Sequence, residues 1–346
     1  MKRAFILVAM AFLFVGMLAA EEAVIIDFTN LSADIIQGAD GQMTQNRRTT
    51  MDYSVSAGAT FTDQQKSTMK SSLTYKNWEV VLNSSARNAV STALSQTAAA
   101  PVKADARVPF AGKEILGARI VFPTSPVNAN ARIVPPFDIP AFEAASDVDD
   151  NGNVQPAQAS VTQATRFEGG YGVLKNVGTI KALSVTTQGM NYPHGLYVLL
   201  KDADGVEKRY FMGYLNFDGW KELRWSNPAY VQEVRAREIR LLPVYPTTTP
   251  YVKFAGFLVT RDAADIGGDF VCYFKDVKAI YDKAVLTTER DIADEDIWGI
   301  VSDREKAKQK LEMTNFGQKQ VYRFLEAEKQ ATENAFTSSL EAAEVR

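Results

Sequence analysis

Gly195-Leu196-Tyr197-Val198-Leu199-Leu200-Lys201-Asp202-Ala203-Asp204-Gly205-Val206 decides the fold. Leu196, Val198 and Leu200 alternate with Tyr197, Leu199 and Lys201. Such alternation places successive side chains on opposite faces, the period of a β-strand. The centre of the run is apolar on both faces, as in a strand inside a sandwich. Asp202-Ala203-Asp204-Gly205 then predicts a turn, because glycine accepts the positive φ that a tight hairpin needs. Val206 to Phe217 returns as the partner strand.

Outward from this hairpin, the β pattern runs from Gly117 to about Ala284. Ile120–Phe122, Gly178–Val185, Glu238–Leu242, Val252–Thr260, Phe270–Phe274 and Val277–Tyr281 read as further strands. They lie close together with no long helical pattern between them, which excludes a parallel α/β sheet. Prolines such as Pro123, Pro135, Pro140, Pro243 and Pro250 fall between strands, where a missing N–H costs little. Upstream, Ala23–Phe28 and Trp78–Leu82 read as strands and Asp63–Leu73 as a short helix. Residues 37–60 read as a loop and the Ala/Ser-rich stretch 84–106 as a connector. After Leu286 the chain turns charged and helical. Ser302-Asp303-Arg304-Glu305 predicts a capping box opening a helix to about Met313, and Gly317 predicts an interruption. Val321, Phe324, Leu325, Ala331, Ala335, Phe336 and Leu340 then recur near helical spacing, a thin stripe for packing on the sandwich or on another subunit. The fold expected is mainly β: an antiparallel, jelly-roll-like β-sandwich of galactose-binding or lectin-like type with a C-terminal helical extension. Its divisions are 1–20, 21–285 and 286–346.

The first twenty residues carry the compartment. Lys2 and Arg3 precede an apolar run from Ala4 to Leu18, then Ala19, Ala20 and Glu21-Glu22. That is the order of a secretory signal peptide, with cleavage expected after Ala20. The run is short for a membrane span, so no stable membrane anchor is expected and the mature chain is expected outside the cytoplasm. The single Cys272 cannot form an internal disulfide and sits in a strand-like apolar run, as a buried thiol does. A formal net charge of −3 argues against nucleic acid as a partner.

Motifs for chemistry are few. There is no G-x-S-x-G, H-E-x-x-H, Walker loop or G-x-G-x-x-G. One histidine and one cysteine exclude a His-rich zinc site and weaken the case for a triad, so no catalytic residue is assigned and no enzyme is expected. A glycosidase carboxylate pair would have no local signature and stays as an alternative. His194, in Asn191-Tyr192-Pro193-His194-Gly195, reads as a turn residue rather than a base. One metal-like run exists. Asp147, Asp149 and Asn151, followed by Gly152, match the start of a calcium loop, although Gln158 stands where a bidentate Glu belongs. Calorimetry tests it, and no heat at millimolar calcium overturns the site. Tyr210, Phe211, Tyr214, Phe217, Trp220 and Trp225 form an aromatic cluster. Such rings pack cores, or they stack on a glycan.

Several blocks carry a family resemblance. They are Asn77-Trp78-Glu79-Val80 with Leu82-Asn83-Ser84-Ser85, Pro135-Pro136-Phe137, Gly170-Tyr171-Gly172 with Asn176-Val177-Gly178, and Asn191 to His194. Met212 to Trp220, Leu223-Arg224-Trp225-Ser226-Asn227-Pro228, Val234 to Glu238 and Gly267-Gly268-Asp269-Phe270 complete the set. In these blocks the chain resembles the FlaA family, the outer-layer (sheath) proteins of spirochete periplasmic flagella. The resemblance implies a structural coat around core flagellin subunits of FlaB type, self-association along the filament, and a part in filament shape, stiffness and motility. It implies no catalytic residues and no cofactor. A periplasmic carbohydrate-binding module is the other reading of a sandwich with exposed aromatics.

Overall fold

The computed structural model describes residues 21–37, 41–142, 146–148, 154–156, 166–230, 245, 247–284 and 291–344. In chain order its strands are β1 (Glu21–Asp27), β2 (Ile35–Gln37), β3 (Met43–Gln45), β4 (Thr50–Asp52), β5 (Lys70–Ser72), β6 (Glu79–Leu82), β7 (Gln96–Pro101), β8 (Glu114–Phe122) and β9 (Ala129–Val134). Then follow β10 (Ser146–Val148), β11 (Val154–Pro156), β12 (Val173–Lys175), β13 (Val177–Met190), β14 (Gly195–Asp202), β15 (Glu207–Tyr214), β16 (Asp218–Ser226), β17 (Tyr251–Arg261) and β18 (Gly268–Lys283). The α-helices are α1 (Ser54–Ala57), α2 (Asp63–Thr68), α3 (Ala89–Leu94), α4 (Asp294–Trp298) and α5 (Ile300–Glu344).

Two six-stranded antiparallel sheets make the body. The first runs β16-β13-β18-β8-β7, with β1 also on β18. The second runs β15-β14-β17-β9-β6, with β12 also on β17. Set side by side, the two orders match β16 to β15, β13 to β14, β18 to β17, β8 to β9 and β7 to β6. Each match is a pair of strands consecutive among the sheet strands, which is the roll-up of a jelly roll. The expected hairpin is in place: β14 pairs with β15, and the Asp202 carboxylate accepts from the Asp204 and Val206 N–H groups at 3.1 and 3.0 Å. Gly205 takes a φ of 78° there.

The middle strands of the two sheets share a device. β18 pairs with β13 along one edge, while its other edge is divided between β8 (to Phe274) and β1 (from Asp276). The register breaks between them, at Lys275, whose ammonium meets Asp27 at 2.9 Å and Asp276 at 2.7 Å. β17 does likewise, with β9 taken from Phe257 and β12 up to Lys253, and its break falls at Ala255. A bulge bends and re-aims a strand, which lets its edge change partners. Next to that break Gly256 has a φ of 131°, and a Cβ there would run into the Ile133 carbonyl. Phe254 and Phe257 both reach the interior, where Phe257 stacks on Phe274 of the facing sheet with centroids 4.0 Å apart and planes at 14°.

Several expectations change. Phe270–Phe274 and Val277–Tyr281 are one strand, continuous through the bulge. The expected helix Asp63–Leu73 ends at Thr68, and Lys70–Ser72 pairs with β4 instead. The expected connector 84–106 holds α3 and β7. The expected loop 37–60 holds β3, β4 and α1. The strand expected at 238–242 lies outside the described residues.

Gly317 does not interrupt the tail. α5 is one helix of 45 residues, about 67 Å long at 1.5 Å per residue. Glycine inside a helix costs about 1 kcal/mol against alanine, and the reason it is tolerated is tertiary. A Cβ on Gly317 would overlap Ser56 Oγ, so α1 lies against the helix backbone. Nor does Ser302 cap the helix. It starts at Ile300, after Gly299 in the left-handed region at φ 59°, and the Glu295 carboxylate accepts from the Val301 and Ser302 N–H groups.

Candidate assembly surface

The residues singled out for chemistry are mostly committed to packing. Trp220 meets Phe110 edge-on at 4.8 Å, and Tyr210 meets Trp225 at 4.8 Å. Phe217 lies under the Lys221 ammonium. Phe211 differs: it lies between Tyr197 at 5.0 Å and Tyr214 at 5.2 Å, and Phe211 and Tyr214 are exposed on the edge strand β15. The aromatic cluster therefore splits into packed rings and a short exposed row.

His194 is 1% exposed and walled by Phe122, Tyr192 and Phe270 with centroids 5.2, 5.7 and 4.8 Å away. Burial holds its pKa down at about 4, against the opposing pull of Asp265 and with the Arg261 charge lowering it further. Its Nδ1 has no hydrogen-bond partner and lies 4.0 Å from an Asp265 oxygen. Arg261 is buried too, and spends its guanidinium on the carbonyls of Ser125, Val127, Asp265 and Ile266. Cys272 is buried, and burial pushes its thiol well above the usual range. A sealed imidazole and a sealed thiol do structural work here. Among the expected calcium ligands, Asp147 lies in β10, which pairs with β11. Asp149, Asn151 and Ala20 lie outside the described residues.

The tail helix builds a different kind of surface. Its middle docks: Phe316 is buried against Phe137 at 5.3 Å, and Phe324 meets Phe61 at 6.1 Å. Lys253, buried on β17, donates to Glu312 Oε1 at 2.6 Å, and the Ala141 N–H donates to Glu312 Oε2 at 3.2 Å. Further along, Arg323 bonds Glu79 at 2.9 Å, and Gln65 of α2 donates to Glu328 at 3.1 Å. The expected apolar stripe is thus divided. Val321 and Phe324 pack inward, whereas Leu325, Ala331 and Ala335 are exposed. Beyond Glu328, Lys329 to Ala335 are exposed on every side.

Apolar residues that the sequence pattern did not mark stand outward. Ile292, Ile297 and Trp298 (68% exposed) crowd the α4 corner, and Leu311 and Tyr322 lie on the outer side of α5. Ile35, Ile36 and Met43 are exposed on the β2–β3 ribbon. They are apolar side chains that another surface could cover. Their spacing carries no periodic signal, because they are scattered over a corner, a ribbon and one helix face.

The close approach at Gly317 is testable. Gly317→Leu is expected to lift α5 off α1 and cost about 1–3 kcal/mol. Hydrogen exchange should speed up over 312–328 but not in the sheets, and adding Ser56→Gly should restore part of the protection. Unchanged exchange over 312–328 would refute the contact.

Among solved structures, a family 22 carbohydrate-binding module of Clostridium thermocellum Xyn10B matches at 10% identity with a TM-score of 0.24, covering 60% of this chain and 88% of that one. So low a score carries no argument about ligand. Sequence relatives are far nearer. A flagellar filament outer layer protein of Treponema pallidum (strain Nichols) is 56% identical over 341 residues, covering 98% of this chain and 97% of the relative. One of Spirochaeta aurantia is 41% identical over 345 residues, covering 99% and 97%. With a family model matching residues 42–290 as well, the chain belongs to the FlaA family of flagellar filament outer layer proteins.

Proposed function

We propose that this protein is a non-catalytic structural subunit of the outer layer of the periplasmic flagellar filament. Near-full-length relation to two proteins named for that layer carries the reading. The architecture supports it. A rolled sandwich with a long helix docked on it gives a subunit one continuous core, and the outward apolar residues of α4 and α5 are available for subunit contacts. Its partners in this reading are the core flagellin subunits beneath and further copies of itself alongside. Export by a cleaved signal peptide at residues 1–20 belongs to the same proposal.

The test is compositional and geometric. Washed periplasmic filaments should contain the protein, and a deletion strain should assemble thinner or differently curved filaments with altered motility. Washed filaments that never contain it would overturn the reading.

A further inference from the structure

We infer that β7 is the strand through which a second copy of this chain pairs edge to edge. The proposal rests on the self-association reading above and names its surface. Four strands end the main paths of the two sheets, β16 and β7 of the first and β15 and β6 of the second, while β1 and β12 lie off those paths, β1 bridged at Ile26 to Tyr171. An edge strand leaves about half its N–H and C=O groups pointing away from its neighbour, and proteins usually guard such edges with charge. Three of the four follow that rule. β16 exposes Asp218, Lys221, Glu222 and Arg224, and β15 exposes Lys208 and Arg209. β6 carries Glu79, with Arg323 of α5 bonded to it.

β7 breaks the rule. Gln96-Thr97-Ala98-Ala99-Ala100-Pro101 has no charged residue, and the chain is uncharged from Asn88 through Val102. Ala98 and Ala99 are exposed at the centre of the strand. Among the described strands β7 pairs with β8 alone. The strand is also held in place. The Thr97 hydroxyl bonds the carbonyls of Tyr75 and Trp78 at 3.1 and 2.8 Å, which spares the ordering cost a loose segment would incur on pairing. Leading into it, α3 exposes Val90 (64%) and Leu94 (39%), so apolar surface continues past the strand's end.

The occupant follows from charge. Pairing β7 against any of the other three edges would set alanines beside charged side chains and gain nothing from them. A second β7, antiparallel across a two-fold axis, meets it with no charge on either side. Small alanine side chains also let the two backbones approach without steric cost.

Sedimentation of the purified protein tests this. A reversible dimer is expected at micromolar concentration. Ala99→Lys and Ala99→Glu should each weaken it by at least about tenfold, since like charges then face one another across the axis. Both should melt as the parent does, because the Ala99 side chain is exposed. An equimolar mixture of the two should restore dimerisation, as opposite charges now meet. A parent that stays monomeric, variants that dimerise as well as the parent, or a mixture that stays monomeric would each overturn self-pairing. The last would mean that β7 accepts a different segment. None of these results bears on whether the protein is present in washed filaments, so the functional reading stands or falls separately.

Discussion

Phe257→Ala is expected to lower stability by about 3–5 kcal/mol. Phe257 is fully buried and lies where the two sheets meet. It stacks on Phe274 of the opposite sheet at 4.0 Å, with Phe254 at 5.1 Å and Phe28 at 6.0 Å. Truncation removes the transfer energy of a ring and leaves a cavity between β17 and β18. These strands are central in their sheets and bulged near this level, so the backbone has little freedom to close the gap. Urea unfolding followed by tryptophan fluorescence gives the number. The midpoint should fall with the slope unchanged. Tyr214→Ala, on the exposed row of β15, is the control and should stay within about 0.5 kcal/mol. A Phe257→Ala loss no larger than the control's would mean that the ring stack does not hold the sheets together.

Acid should cost the fold about 3 kcal/mol through His194 alone. The unfolded imidazole titrates near 6.5, and the buried one near 4. Between those values the unfolded chain binds a proton that the folded chain refuses, so stability falls as pH falls. The His194 contribution is complete above about pH 6.5 and lost by about pH 4. The charges facing it are Asp265, which opposes the shift, and Arg261, which adds to it. Burial among Phe122, Tyr192 and Phe270 outweighs the carboxylate because 4.0 Å is too long for a hydrogen bond. Stability measured from pH 7 to 4 should show this limb, and His194→Gln should flatten it by one proton's worth of slope. A variant with the parent's slope would place the acid sensitivity elsewhere.

The features visible in the sequence were those set by near neighbours. The β14–β15 hairpin follows from alternation and from the Asp202-to-Gly205 turn, whose hydrogen bonds span four residues or fewer. The buried state of Cys272 follows from the apolar run around it. The family was legible in motif blocks such as Met212 to Trp220, which depend on residue identity and not on any contact. The outward apolar residues on α4 and α5 were hidden, since only the fold decides which face of a helix is covered.

The rest was decided at long range. Alanine has no strong preference for a strand, so Gln96–Pro101 reads as linker until β8 supplies the ladder that makes it β7. Two apolar runs read as two strands until β8 and β1 are seen to share one edge of β18 across the bulge at Lys275. Gly317 reads as a helix stop until Ser56 stands against it. By itself the sequence determined a rolled β-sandwich with a helical tail, because alternation, turn chemistry and periodicity act over a few residues. That the tail stays one helix, where it docks and which strand ends each sheet come from the fold, because they depend on contacts made outside the local segment, such as Ser56 against Gly317 and β8 against β7.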